Sequence, residues 1–199
     1  MPVKIQCQHC DKKFGCRKIY EHYDECLAKL YKKKSGYLIS MHSHGITGDL
    51  YHIYVIAGTK CKFLDIDKFL KDIWCECCGH MSEFNIYNNN QEYHISKKTS
   101  LNKYAENDRF IYEYDMGDTT TVYIEIKKIL EGKSNNNKIK LVHQNEKPKI
   151  LCIKCKKNAK YYYMGDPLCK KHSDVSEEEL LSKISNSPRS GVCGYAIRQ

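Results

Sequence analysis

GYLISMHSHGITGDLYHIYVIA, residues 36–57, is two runs rich in β-branched and aromatic residues, interrupted at Gly45 and Gly48. Runs of this length and composition suit strands, and two glycines between them suit a tight reversal, so 36–43 and 49–57 should pair as a hairpin. Working outward, Leu64, Phe69, Leu70, Ile73 and Trp74 recur at helical spacing and predict a helix over 65–77 that packs on the sheet. Asp65 or Asp67 is its expected N-cap and Gly79 its C′ residue. Short strands are expected at 82–87 and 92–96, turning through Asn88-Asn89-Asn90, and a longer pair at 109–115 and 119–130 crosses Met116-Gly117. After Asn135-Asn136-Asn137 the chain resumes as KIKLVH. The expected class is α+β, a curved and mostly antiparallel sheet packed on helices over 36–148.

Each flank carries a cysteine module. Cys7-x2-Cys10-x11-His22-x3-Cys26 has finger spacing: a two-residue knuckle aims both thiolates one way, and one helical turn presents His22 and Cys26 together. Phe14 and Ile19 would form its small core, and a helix ending in Lys32-Lys33-Lys34 completes residues 1–34. His9 and Cys16 are the rival ligands, assigned to the surface. Over 149–199, Cys152-x2-Cys155-x13-Cys169-x2-His172 reads as a zinc-ribbon-like module whose knuckles bracket AKYYYM and a Gly165-Asp166-Pro167 turn. SEEELLSKI (176–184) predicts a short helix opened by Ser176, with Glu179 three residues on, and NSPRSGVCGY (186–195) an ordered loop. Two structural Zn2+ ions are therefore expected.

Twelve cysteines without an apolar leader or a long apolar run point to metal rather than disulfides, to the cytoplasm, and to no membrane. Basic residues outnumber acidic ones 9 to 4 in 1–35 and 11 to 3 in 131–171, whereas 36–130 holds 10 against 13. Basic ends around an acidic centre suit DNA or RNA, or another protein, as partner. The residues expected to touch nucleic acid are Lys18 and Tyr20 at the start of the finger helix, and Lys154, Lys156, Lys157, Lys160 and Tyr162 in the ribbon. A solvated basic face, or a finger that is purely structural or contacts protein, accounts for the same residues.

The centre adds FLKDIWCECCGH (69–80) and YEYDMGD (112–118). Cys77 or Cys78 with His80 could hold a further metal, joined by His42, His44 or Cys193; the plainer reading makes these cysteines small buried hydrophobes. Asp115 and Asp118 flank a tight turn, where two carboxylates can coordinate a cation or act as acid and base, though Asp in such a turn more often bonds the backbone. No nucleophile–base pair, phosphate loop or His-Glu metalloprotease pattern accompanies them, which leaves metal-assisted hydrolysis as the least implausible chemistry. FLDIDKFLKDIW, YEYDMGD and TTTVYIEI together resemble the plasmid Ri open-reading-frame-three-like family, the passenger TnpR family of insertion elements. IWCECCGHMSEF (73–84) and NSPRSGVCGY are similar to a zinc-bearing archaeal and bacterial branch of it. The resemblance implies the same α+β domain and an association with mobile DNA. Where many members carry a Trp and a His on the strand after the turn, this chain has Thr120 and Val122.

Overall fold

The computed structural model describes residues 4–16, 18–88, 91–132, 136–174, 180–193 and 195. Its strands and helices run β1 (Lys4–Gln6), β2 (Lys13–Gly15), α1 (Lys18–Leu30), β3 (Ser35–His44), β4 (Leu50–Ala57) and α2 (Phe63–Leu70). Then come β5 (Ser82–Asn88), β6 (Gln91–His94), β7 (Arg109–Tyr114), β8 (Thr120–Glu131), β9 (Ile139–Gln144), β10 (Tyr161–Tyr163), β11 (Asp166–Leu168) and β12 (Leu181–Lys183). Seven strands make the central sheet in the order β6-β5-β7-β8-β3-β4-β9, with every neighbouring pair antiparallel. Asn89 and Asn90, placed in the β5–β6 turn from the sequence, lie outside the described residues.

Side chains alternate faces along a strand, and β3 and β4 bury both. Ile39, Met41, Ile53, Val55 and Ala57 face Phe63, Ile66, Leu70 and Trp74, while Leu38, Tyr54 and Ile56 face Ile19, Tyr23 and Leu27 of α1. This double burial explains why 36–57 reads as nearly continuous apolar sequence. The N-terminal segment is thus no free finger with a tiny core of its own. Its helix lies on the sheet, and three buried side chains contribute on the order of 1.5–3 kcal/mol each, so metal need not supply most of its stability.

α2 starts two residues earlier than predicted. Lys62 is its N-cap, and Asp65 Oδ2 accepts the Lys62 N–H at 2.8 Å, so Asp65 supports the helix start from inside. The buried positions are Phe63, Ile66, Asp67 and Leu70, continued by Trp74, whereas Leu64 is exposed. The last turn, Lys71–Cys75, is π-helical, which ends the element at Glu76 and leaves Gly79 in the loop beyond. In the C-terminal module, Leu181–Lys183 is a strand rather than part of a helix. It pairs with β10 (Tyr161↔Lys183, Tyr163↔Leu181), because the β10–β11 hairpin offers an edge whose backbone groups need partners. Ser176 and Glu179 lie outside the described residues. Among the described residues no helix is long and apolar enough to cross a membrane.

Candidate metal centres

Cys7 and Cys10 lie in the turn between β1 and β2, and His22 and Cys26 lie one turn apart on α1, a ββα arrangement. Their four ligand atoms fall within 4.8 Å of one another. Zinc–sulfur and zinc–nitrogen bonds at tetrahedral angles require edges of about 3.8 Å between sulfurs and about 3.5 Å between sulfur and nitrogen. Cys10 Sγ to His22 Nε2 is 3.1 Å, somewhat inside that frame, and Phe14 stacks on His22 at 4.1 Å between ring centres. The Lys12 backbone N–H holds the Cys10 thiol down, while burial and the neighbouring Cys10 push Cys26 up to about 12. Three such thiols cannot share one small volume with an imidazole as thiolates unless a cation joins them, which is the chemistry of a zinc site.

The second quartet joins Cys152 and Cys155 in the knuckle after Leu151 to Cys169 and His172, which a 3-10 turn over Lys170–His172 brings together. Cys155 Sγ to Cys169 Sγ is 3.7 Å, and His172 Nδ1 is 3.4 Å from Cys152 Sγ and 3.5 Å from Cys169 Sγ. These are the edges of a ZnS3N tetrahedron to within a few tenths of an ångström. Burial raises the Cys152 thiol, but backbone N–H groups of Cys169, Cys155 and Lys154, together with His172, outweigh it and bring it to about 5. That thiol is ready to act as a thiolate ligand.

A third quartet is Cys77, Cys78, His80 and Cys193, again within 4.8 Å, so the described residues hold three Cys/His clusters able to bind metal, where two were expected. Its first three members sit in the loop after α2, wrapped on Tyr114. The Tyr114 hydroxyl accepts the Cys77 and His80 N–H groups at 3.5 and 3.2 Å and faces Glu76 Oε1 at 3.3 Å. Cys193 arrives from the C-terminal strap, 3.3 Å from His80 Nε2. Cys75 alone fits the reading as a buried hydrophobe. His42 and His44 stay out of the cluster: His42 stacks on Tyr123, and His44 bonds the Gly48 carbonyl.

Asp115 and Asp118 are not members either. Asp115, with φ of 65°, accepts the backbone N–H groups of Gly117 (3.1 Å) and Asp118 (3.4 Å) on Oδ1, and its Oδ2 takes Arg189 Nη2. Burial would raise its carboxyl, but Arg189 and those two N–H groups hold it below the usual carboxylate range. Its Oδ2 still lies 3.5 Å from His80 Nε2, at the edge of the third quartet. Asp118 accepts Arg189 Nη1 on its backbone carbonyl at 2.9 Å. Of the readings open for this pair, Asp115 follows the plainer one, a turn carboxylate bonded to the backbone, and it is anchored to an arginine as well. Nothing in the composition of NSPRSGVCGY distinguished Arg189 from a surface residue; its meaning depends on a partner 74 residues away.

Of the residues expected at nucleic acid, Lys18, Lys154, Lys156, Lys157 and Lys160 are exposed. Tyr162 is not available: it is buried among Ile150, Ala159 and Ile184, with its hydroxyl 3.3 Å from Thr47 Oγ1. Tyr20 turns toward the sheet, edge-on to His52 at 4.7 Å, and its carbonyl accepts the Tyr54 hydroxyl. His9 is half-buried rather than a surface residue, 3.4 Å from His143 Nδ1. No protein-family model and no curated protein matches the chain. The crystal structure of a protein of unknown function from Methanosarcina mazei Go1 is similar over 54% of this chain and 67% of its own, at 22% identity and a TM-score of 0.46.

Proposed function

We propose that this is a zinc-organised binding protein whose C-terminal ribbon contacts the phosphates of nucleic acid. The observation that carries the reading is the ribbon itself. The Cys152–His172 quartet fixes a short β module from which Lys154, Lys156, Lys157, Lys160, Lys170 and Lys171 all project into solvent. Clustered lysines attract a polyphosphate backbone without reading its sequence, and exposed Ile153 and Met164 give bases an apolar surface to lie against. Zinc in the two flanking quartets holds each knuckle in shape, and its role there is structural. The resemblance to the plasmid Ri family points the same way, toward mobile DNA.

A second reading, a protein-interaction scaffold, is favoured by α1. Tyr20, a residue with which a finger helix would enter a groove, instead packs on the sheet, so the N-terminal module serves the fold. Against the hydrolase reading stands Asp115, one of its two carboxylates, which is paired with Arg189. Binding to single-stranded DNA and RNA, titrated with salt, separates the two that remain. The ribbon reading expects affinity that falls steeply with salt and drops tenfold or more when Lys154, Lys157 and Lys160 are changed to Glu. Zinc-loaded protein that binds neither nucleic acid at low salt overturns it in favour of the scaffold.

A further inference from the structure

We infer that Cys77, Cys78, His80 and Cys193 form a third zinc site, a clasp that fastens the C-terminal strap (184–193) across the end of the central sheet. Unlike the flanking quartets, which each close a short local segment, this one joins the loop after α2 to a residue 113 positions further on. Linking ligands so distant in sequence constrains the unfolded chain more than closing a short knuckle does.

The strap is built to deliver Cys193. Ser187 Oγ donates to the Trp74 carbonyl at 2.7 Å, and Gly191, at φ of 86°, lies so close to the Tyr162 ring that a Cβ there would be 2.6 Å from it. Cys193 itself has φ of 48°, a left-handed conformation disfavoured for a residue with a side chain and kept only where its surroundings impose it.

Arg189 supplies the second observation. Its side chain is fully buried, and all five of its N–H donors have acceptors. Two of them, from Nε and Nη2, go to Cys77 Sγ at 3.4 Å each. A thiol is a poor acceptor, whereas a metal-bound thiolate is a good one, and a guanidinium beside it offsets the net negative charge of zinc on three thiolates and an imidazole. Asp115 balances the same arginine, and its Oδ2 lies 3.5 Å from His80 Nε2, the nitrogen that also faces Cys193, so it stands at the edge of the site. Cys78 and Cys193 are exposed, so the clasp metal meets solvent on one side and should leave before the other two. Its binding releases the thiol protons to solvent.

Zinc counted after loading and desalting should give three equivalents for the full chain and two for Cys193→Ser and for Cys78→Ser, both at exposed positions where folding is not at stake. Cys16→Ser, at a cysteine outside all three quartets, should keep three. Amide exchange in 184–193 should accelerate at least tenfold in Cys193→Ser, and equally in the unaltered protein after a mild chelator has removed one equivalent. A fully loaded chain with only two equivalents, three retained by Cys193→Ser, or strap exchange indifferent to the third zinc each overturn the proposal. None of these outcomes depends on nucleic-acid binding.

Discussion

Asp67 is a carboxylate inside an apolar layer. Its Oδ1 receives Ser82 Oγ at 2.5 Å, Lys97 Nζ at 3.1 Å and the Tyr112 hydroxyl at 3.1 Å, and Lys71 stands 3.4 Å from Oδ2. Burial alone would raise its carboxyl; Ser82 and the two lysines outweigh it and hold it below the ordinary value. Asp67→Asn keeps the shape but leaves Lys97 with its charge uncompensated, and it should cost about 2–4 kcal/mol in denaturant unfolding. His52 is the opposite case. Burial, then His42 and His143, bring its ring down to about 3, and its Nδ1 meets no partner among the described residues. Below about pH 6.5 the unfolded chain takes up a proton that the folded one refuses, so stability is full above that pH and falls as pH drops toward 3. Between pH 6.5 and 5 this one ring should remove about 2 kcal/mol. Acid also strips zinc, so the measurement is the difference in pH slope between the unaltered protein and His52→Leu. Equal slopes would refute the assignment.

At the scale of elements, the packing of α1 decides how the N-terminal quartet behaves. Ile19, Tyr23 and Leu27 are buried against Leu38, Tyr54, Ile56 and Leu130, and the Tyr54 hydroxyl reaches Asp24 at 2.7 Å. Leu27→Ala should therefore lower the stability of the whole unfolding transition by about 2–4 kcal/mol, as a core cavity does. Unfolding followed by tryptophan fluorescence reports this, since Trp74 lies on the other side of the sheet; a midpoint left in place would mean an independent finger. The knuckle and helix spacings were legible because zinc geometry is local, and the 36–57 hairpin because its composition is. The docking of α1 was not, since alternation on strands buried on both faces leaves no polar face to say where a helix ends and a sheet begins. Leu181–Lys183 misled for a related reason: a capping pattern upstream suggests a helix, and only the waiting edge of β10 makes it a strand.

For the whole molecule, what sequence reading could not supply is the path of the strap. Cys77, Cys78 and His80 were visible as candidates beside His42, His44, Cys193, Asp115 and Asp118, and only the fold shows that Cys193 completes them while Asp115 turns to Arg189. The ribbon, the strap and the central sheet are joined by this path: Tyr162 packs with Ile184, Ser187 reaches Trp74, and Arg189 reaches β8 at Thr120 Oγ1 (3.1 Å). During synthesis this order has a cost in time. Asp115 is made 74 residues ahead of the arginine that neutralises it, so a growing chain can assemble all seven sheet strands while the ion pair at the sheet's end is still missing. Until the strap has been translated, the nascent protein shows an unneutralised carboxylate where the finished one shows none. Arrival of the strap is thereby registered at the end of the sheet, in a change that a chaperone or protease scanning for partly folded chains could read.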